Sequence, residues 1–214
     1  MVREQYDHIW DSCCDHGLLG AALLSKGAAP HIHFVDVVPE LMSQLENKLA
    51  HFFPDNLNLQ WQVHCMDAAE LPLQEVDGKH LVIIAGVGGD LMGEIVKRIV
   101  LNNPAADYDF LLCPVHHQFT LRQQLIQLNF GLRAEALIVE NERFYEVLLV
   151  SKAATKLQAK INAVGSFLWQ SDTPEQLKIT TEYLNRTLEH YKRVQLNSGA
   201  EVQHIIDAYS AVIL

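Results

Sequence analysis

The feature that most constrains this chain is the heptapeptide DSCCDHG at residues 11–17. A short apolar run with Ile9 and Trp10 precedes it, and a helical apolar pattern over residues 18–24 follows. A strand, a tight turn and a helix start therefore meet within about ten residues. In an open α/β sheet such a junction makes a ligand crevice, because N–H groups at the helix start point outward at the carboxyl end of the strand. Asp11 and Asp15 stand in this loop, with His16 beside Asp15. That much negative charge repels a pyrophosphate cofactor and suits a cationic one, such as S-adenosylmethionine with its sulfonium and amino groups. The same residues also read as an ordinary βα turn with Asp15 as a helix N-cap.

The strand–turn–helix unit recurs along the chain. Strand one is expected over residues 8–12 and the first helix over 17–26, stopped by Gly27 with Pro30 beyond. The stretch HIHFVDV at 31–37 predicts a second parallel strand, ending at Asp36. An acidic residue about 20 positions after the first turn typically takes ribose hydroxyls in nucleotide-binding α/β folds. Pro39 opens a helix with Leu41, Met42, Leu45 and Leu49 at core spacing. Residues 57–65 alternate as a third strand, with Asp67 after it, where a carboxylate can accept an adenine amine. HLVIIA at 80–85 reads as a fully buried central strand, followed by Gly86, Val87, Gly88 and Gly89 and a helix over 90–101. Glycines there let backbone approach a ligand closely. A fifth strand over 108–113 ends in Pro114, Val115, His116 and His117, before a helix with Leu121, Leu125, Ile126 and Leu128. Two further apolar segments, 134–139 and 144–151, are joined by ENER and predict an antiparallel hairpin.

From residue 152 glycine and proline nearly vanish and helical spacing dominates, from Leu157, Ile161, Val164, Phe167 and Leu168 to Ile205, Ile206 and Tyr209. About three helices are expected, one starting at STPE-like residues 171–175 and one break at 197–199. The organisation expected is a cofactor domain over 1–151 and a helical module over 152–214. The formal charge of the 214 residues is −10. Residues 151–214 hold seven Lys and Arg against six Asp and Glu, a net +1, which leaves −11 for the rest. An acidic body excludes non-specific nucleic-acid binding but leaves room for an RNA docked through a local basic face. The four cysteines, Cys13, Cys14, Cys65 and Cys113, show neither a CxxC pair nor zinc-type spacing, so they read as free thiols with no metal. No apolar run or leader pattern suggests a membrane, and a cytoplasmic location is expected.

Five parallel-strand signals, a terminal hairpin and acidic ends on the first three strands resemble class I S-adenosylmethionine-dependent methyltransferases of Rossmann-like α/β fold. More narrowly, the chain resembles the bacterial tRNA (adenine-22-N1)-methyltransferase family. DSCCDHG resembles its D-x-G-x-D-H motif, IIAGVGGDLM at 83–92 its I-A-G-M-G-G, CPVHH at 113–117 its x-P-N-x-H, and RFYEVLLV at 143–150 its Y-E-V strand. GSFL at 165–168 and the helical tail look like its C-terminal coiled-coil module. Cys13 replaces a family glycine and Val115 a family asparagine, and the lead-in before strand one is short. The resemblance implies transfer of a methyl group from S-adenosyl-L-methionine to ring nitrogen 1 of an adenine in tRNA. It implies Asp15, His16 and His117 at the adenine. It also implies Asp11, Cys13, Gly17, Asp36, Val37, Asp67, Ala68, Gly86, Val87 and Gly88 around the cofactor. Each histidine reads equally as a structural hydrogen-bonder. A cofactor-binding RNA-docking protein without turnover is the alternative, and an NAD-type domain is disfavoured by the absence of GxGxxG.

Overall fold

Strand β1 (His8–Ser12) is buried along its whole length and lies between β2 (His31–Asp36) and β4 (Lys79–Ala85), parallel to both. The computed structural model describes residues 4–54, 60–152, 159–198 and 201–214. β3 (Gln60–Cys65) and β5 (Asp107–Cys113) complete a five-stranded parallel block. The antiparallel pair β6 (Gly131–Glu140) and β7 (Arg143–Ser151) attaches through β7 to β5. A two-residue strand, β8 (Ala159–Lys160), pairs with the start of β6, giving the order β3-β2-β1-β4-β5-β7-β6-β8. The start of the expected third strand (57–59), Leu157 and Gly199 lie outside the described residues.

Both faces of the parallel block are covered, which is why its strands are near-continuous apolar runs. On one face α1 (Leu18–Ser25) and α2 (Pro39–Phe52) bring Leu24, Met42, Leu45 and Leu49 against Ile9, Ile32, Phe34 and Ile83. On the other, α3 (Gly89–Asn102) and α4 (Gln118–Gln127) bring Met92, Val96, Ile99, Leu121 and Leu125 against Trp10, Val35, Val82 and Ile84. Two single 3-10 turns, Ala68–Glu70 and Leu73–Glu75, close that second face.

The tail departs from the expected three helices. Residues 161–172 form turns, and two helices follow: α5 (Pro174–Ser198) and α6 (Gln203–Ser210). Asn162 explains the first difference. Its Oδ1 accepts from the Val164 N–H (3.0 Å), its carbonyl accepts from Arg122, and Gly165 takes φ +90°. The apolar spacing there instead drops Val164, Leu168 and Trp169 into a third core with Tyr183, Leu184, Ile205 and Tyr209. Phe119, Leu137 and Phe144 from the sheet side share that core. The start of α5 is as expected: Thr173 Oγ1 accepts from the Gln176 N–H (3.2 Å) and Gln176 Oε1 accepts from the Thr173 N–H (3.1 Å), a capping box.

Histidines cross the α3 face of the sheet in one hydrogen-bonded chain. His8 Nε2 donates to the Asp77 carbonyl (3.2 Å), so His8 Nδ1 accepts from His33 Nε2 (3.0 Å), and His33 Nδ1 accepts from His64 Nε2 (3.0 Å). Trp10 stacks on His33 at 3.8 Å and donates to His80 Nδ1 (3.1 Å). Every shared nitrogen pairs a donor with an acceptor only while the rings are neutral. Burial, then the neighbouring imidazoles, lowers the His33 pKa to about 3; burial also lowers His8, His64 and His80. The unfolded chain therefore binds these protons first, and stability falls as pH drops below about 6.5. Through His33 alone the loss between pH 7 and pH 4.5 is expected to be about 3 kcal/mol. Asp11, raised to about 6 by burial, acts in the opposite direction below pH 6. Ring titration by NMR separates the two: the His33 resonances should not move between pH 7 and pH 5, and a midpoint near 6.5 would contradict the neutral chain.

Candidate active site

All five parallel strands end at one edge, so the loops after β1, β2, β3, β4 and β5 line it together. The chain leaves β1 toward β2 and β3 on one side and returns as β4 and β5 on the other. The edge between β1 and β4 is thus the topological switch point, where open α/β sheets bind ligands.

The β1 loop is tightly wound. Cys13 (φ 59°), Asp15 (φ 50°) and Gly17 (φ 67°) are all left-handed. Gly17 is the N-cap of α1, and a Cβ there would sit 2.6 Å from Leu45. Asp15 is therefore not the cap; its exposed carboxylate lies 3.8 Å from His16 Nε2. Asp11 is buried at 4% exposure, and its Oδ2 accepts from the Gly20 N–H at 2.7 Å. It holds α1 against β1 from behind the loop.

Asp36, at the end of β2, ties the neighbouring loops together. Its Oδ2 accepts from the Asp15 N–H (3.1 Å) and its Oδ1 from the Val38 N–H (3.2 Å). A carboxylate offers about four acceptor positions, so two remain for ligand hydroxyls. Val37 beside it is 61% exposed. After β3, Asp67 Oδ1 accepts from the Ala69 N–H (2.9 Å), and Oδ2 pairs with Arg98 of α3 (2.9 Å). These contacts hold its pKa below the usual carboxylate range, the Ala69 N–H first. Burial, then Asp36, Asp67 and Asp11, pushes the Cys13 thiol up to about 11, which places Cys13 among these carboxylates and keeps it neutral.

After β4, Gly86 (φ 81°) has nothing within 4 Å of the position a Cβ would take, so the strand end opens onto free space. Gly88 and Gly89 are crowded instead: a Cβ would fall 2.2 Å from the His116 ring or 2.3 Å from the His117 carbonyl. Their smallness lets the β5 loop lie flat on the β4 loop. Gly89 N–H donates to His116 O (2.8 Å) and Val115 N–H to Val87 O (3.0 Å). His117, left-handed at φ 58°, is the N-cap of α4, and its Nδ1 bonds the Asp90 carboxylate.

A family model for a methyltransferase domain matches residues 1–148. The chain belongs to the methyltransferase domain family. Comparison with curated proteins finds no match. Among solved structures, a Streptococcus pneumoniae candidate tRNA (m1A22) methyltransferase is 20% identical with TM-score 0.73, covering 98% of this chain and 93% of that one. The M. capricolum TrmK complex with S-adenosyl-homocysteine is 16% identical with TM-score 0.70, over 95% and 89%. The B. subtilis m1A22 tRNA methyltransferase TrmK is 19% identical with TM-score 0.67, over 95% and 90%. These likenesses establish a shared fold.

The expected residues gather at one edge of the sheet. Cys13, Gly17, Asp36, Val37, Asp67, Ala68, Gly86, Val87 and Gly88 lie on the four loops that flank the switch point, and Asp11 supports them from behind. Asp15, His16 and His117 are exposed on the rims of that crevice. Sequence reading missed Arg98 and Asp90. Both sit on α3, Asp90 within the 83–92 motif and Arg98 beyond it, and their partners Asp67 and His117 lie 31 and 27 residues away along the chain. Among the described residues, no three His, Cys, Asp or Glu side chains converge as metal ligands would, and no helix is long and apolar enough to cross a membrane.

Proposed function

We propose that this chain is an S-adenosylmethionine-dependent methyltransferase acting on ring nitrogen 1 of an adenine in tRNA. The observation that carries the reading is the switch-point edge itself, with carboxylates at the ends of three successive strands and an open strand end at Gly86 on the same edge. The cofactor fits the residues present. Asp36 keeps acceptor capacity for ribose hydroxyls, Asp67 and the buried Ala68 suit the adenine end, and the acidic β1 loop suits a sulfonium and an ammonium group. When bound there, the cofactor supplies an electrophilic methyl group. The names of the Streptococcus pneumoniae and B. subtilis neighbours support tRNA as the substrate and N1 as the target, and the M. capricolum complex supports the cofactor.

Ring nitrogen 1 has an in-plane lone pair, so the chain's task is to orient the base and favour the cationic product. Asp15 supplies negative charge on the β1 rim. His117 has Nδ1 engaged by Asp90, which leaves Nε2 as the ring nitrogen that a base could meet. The reading without turnover rested on Cys13 and Val115, and neither favours it. Cys13 holds the left-handed turn that a glycine would, and Val115 keeps its backbone bond to Val87. We further assign cofactor binding to residues 1–151 and the larger part of RNA docking to 152–214.

Asp36→Ala should weaken S-adenosylhomocysteine binding by about 1.5–3 kcal/mol, the range for hydrogen bonds to a charged group. Asp36→Asn, which keeps an acceptor oxygen for one of the two loop N–H groups and loses the charge, should fall between. Calorimetry that found unchanged affinity in the folded alanine variant would remove Asp36 from the cofactor site.

A further inference from the structure

A cavity of about 490 Å³ opens beside the catalytic edge, walled by His117 of the β5–α4 loop, Arg143 and Tyr145 at the start of β7, and Arg186, His190 and Tyr191 of α5. We propose that it holds an unpaired nucleotide of the RNA strand flanking the target adenine, its base against Tyr145 and its phosphate at Arg143. The inference rests on the tRNA reading above and deepens it.

Its size falls within the roughly 300–1,000 Å³ of ordinary small-ligand sites. Its lining is the chemistry of single-stranded RNA recognition, aromatic faces for bases and arginines for phosphates. On a chain of net charge −10, two arginines at one cavity are a local exception. They are differently placed. Arg186 is already fixed: it donates to the Glu142 carbonyl (3.1 Å), pairs with Glu182 (2.5 Å) and lies 5.2 Å over the Phe144 ring. Arg143 makes no ion pair among the described residues and is exposed. The turn that presents it is strained. Asn141 (φ 49°) and Glu142 (φ 62°) are both left-handed; asparagine tolerates that conformation and glutamate does not favour it. The two-residue turn puts Arg143 at the first position of β7 and Tyr145 two residues on, both lining the cavity. His117 lines the cavity and also stands on the rim of the crevice, so the two are neighbours. β5 is one strand from β4 and two from β1, about 5–10 Å away, within reach of an adjacent nucleotide.

The test uses the full chain and an unmodified tRNA transcript. Tyr145→Ala should weaken tRNA binding by about 5- to 150-fold, the effect of losing one base–aromatic stack, while Tyr145→Phe stays near wild type. Arg143→Ala should weaken it and lower the salt slope by about one. S-adenosylhomocysteine affinity should be unchanged in all three. Wild-type tRNA affinity in both alanine variants would overturn the assignment. Methyl transfer by the wild type is read separately: its absence counts against the function proposed above, whereas the binding comparison bears on the cavity.

Discussion

Replacing Glu146 by alanine should cost about 3–5 kcal/mol of stability, the penalty for breaking a buried ion pair from one side. Glu146, on β7, is fully buried. Its Oε2 accepts from Arg122 Nε (2.8 Å) and pairs with Nη2 (2.8 Å), and its Oε1 accepts from the Tyr183 hydroxyl (2.5 Å). Arg122 Nη2 also pairs with Glu135 (2.7 Å), and Nη1 donates to the Asn162 carbonyl (3.2 Å). Glu135 in turn accepts from the N–H groups of Ser166 and Phe167, each at 2.5 Å. Burial works against the charge on Arg122, and the two carboxylates outweigh it, holding the guanidinium above the usual arginine range. One polar knot thus joins α4, β6, β7, the 162–167 turns and α5. Alanine leaves the Tyr183 hydroxyl buried without its acceptor and Arg122 with one carboxylate. Glu146→Gln keeps an acceptor for Tyr183 and should lose less. Urea unfolding measures both, with Trp169 fluorescence reporting the third core. A loss under about 1 kcal/mol in the alanine variant would mean that the tail is held by its apolar contacts alone.

Asp15→Asn should lower methyl transfer by on the order of 10²-fold or more if Asp15 is a principal electrostatic stabiliser, with a smaller loss in cofactor affinity. Asparagine tolerates the left-handed φ of 50° and keeps the backbone N–H that Asp36 accepts, so the loop survives and only the charge is removed. A capping role cannot account for such a loss, because the cap of α1 is Gly17 and makes no side-chain hydrogen bond. Single-turnover kinetics at saturating cofactor check it, and wild-type rates in the asparagine variant would leave the β1 rim without a catalytic charge.

The parts of the fold legible in sequence are those whose cause is local. The central parallel strands read as apolar runs because both faces are covered, the third read from its alternation, and the hairpin from its short link. The hairpin is tighter than the ENER link implied, turning on Asn141 and Glu142 alone. The carboxyl-edge loops were legible because parallel strands put every strand end on one side. The tail was less so. The spacing of Ile161, Val164 and Leu168 is that of a helix, but Asn162 and Gly165 break the backbone, and Arg122 and Glu135 collect the freed polar groups from 31–40 residues away. β8 is two residues long, below any period a pattern can register. The histidine chain needed the register of β1, β2 and β3, because His8, His33 and His64 meet only when those strands align. Arg98 on Asp67 and Asp90 on His117 are likewise pairings across separate loops, made by the packing of α3.

The most direct test of the account is methyl transfer itself. The wild-type chain is incubated with methyl-labelled S-adenosylmethionine and unmodified tRNA transcripts, and the RNA is digested to nucleosides and weighed. The account predicts labelled 1-methyladenosine, lost in the Asp15→Asn variant. A wild-type chain that binds S-adenosylhomocysteine yet leaves no label on adenine N1, or places it on another atom, would contradict it.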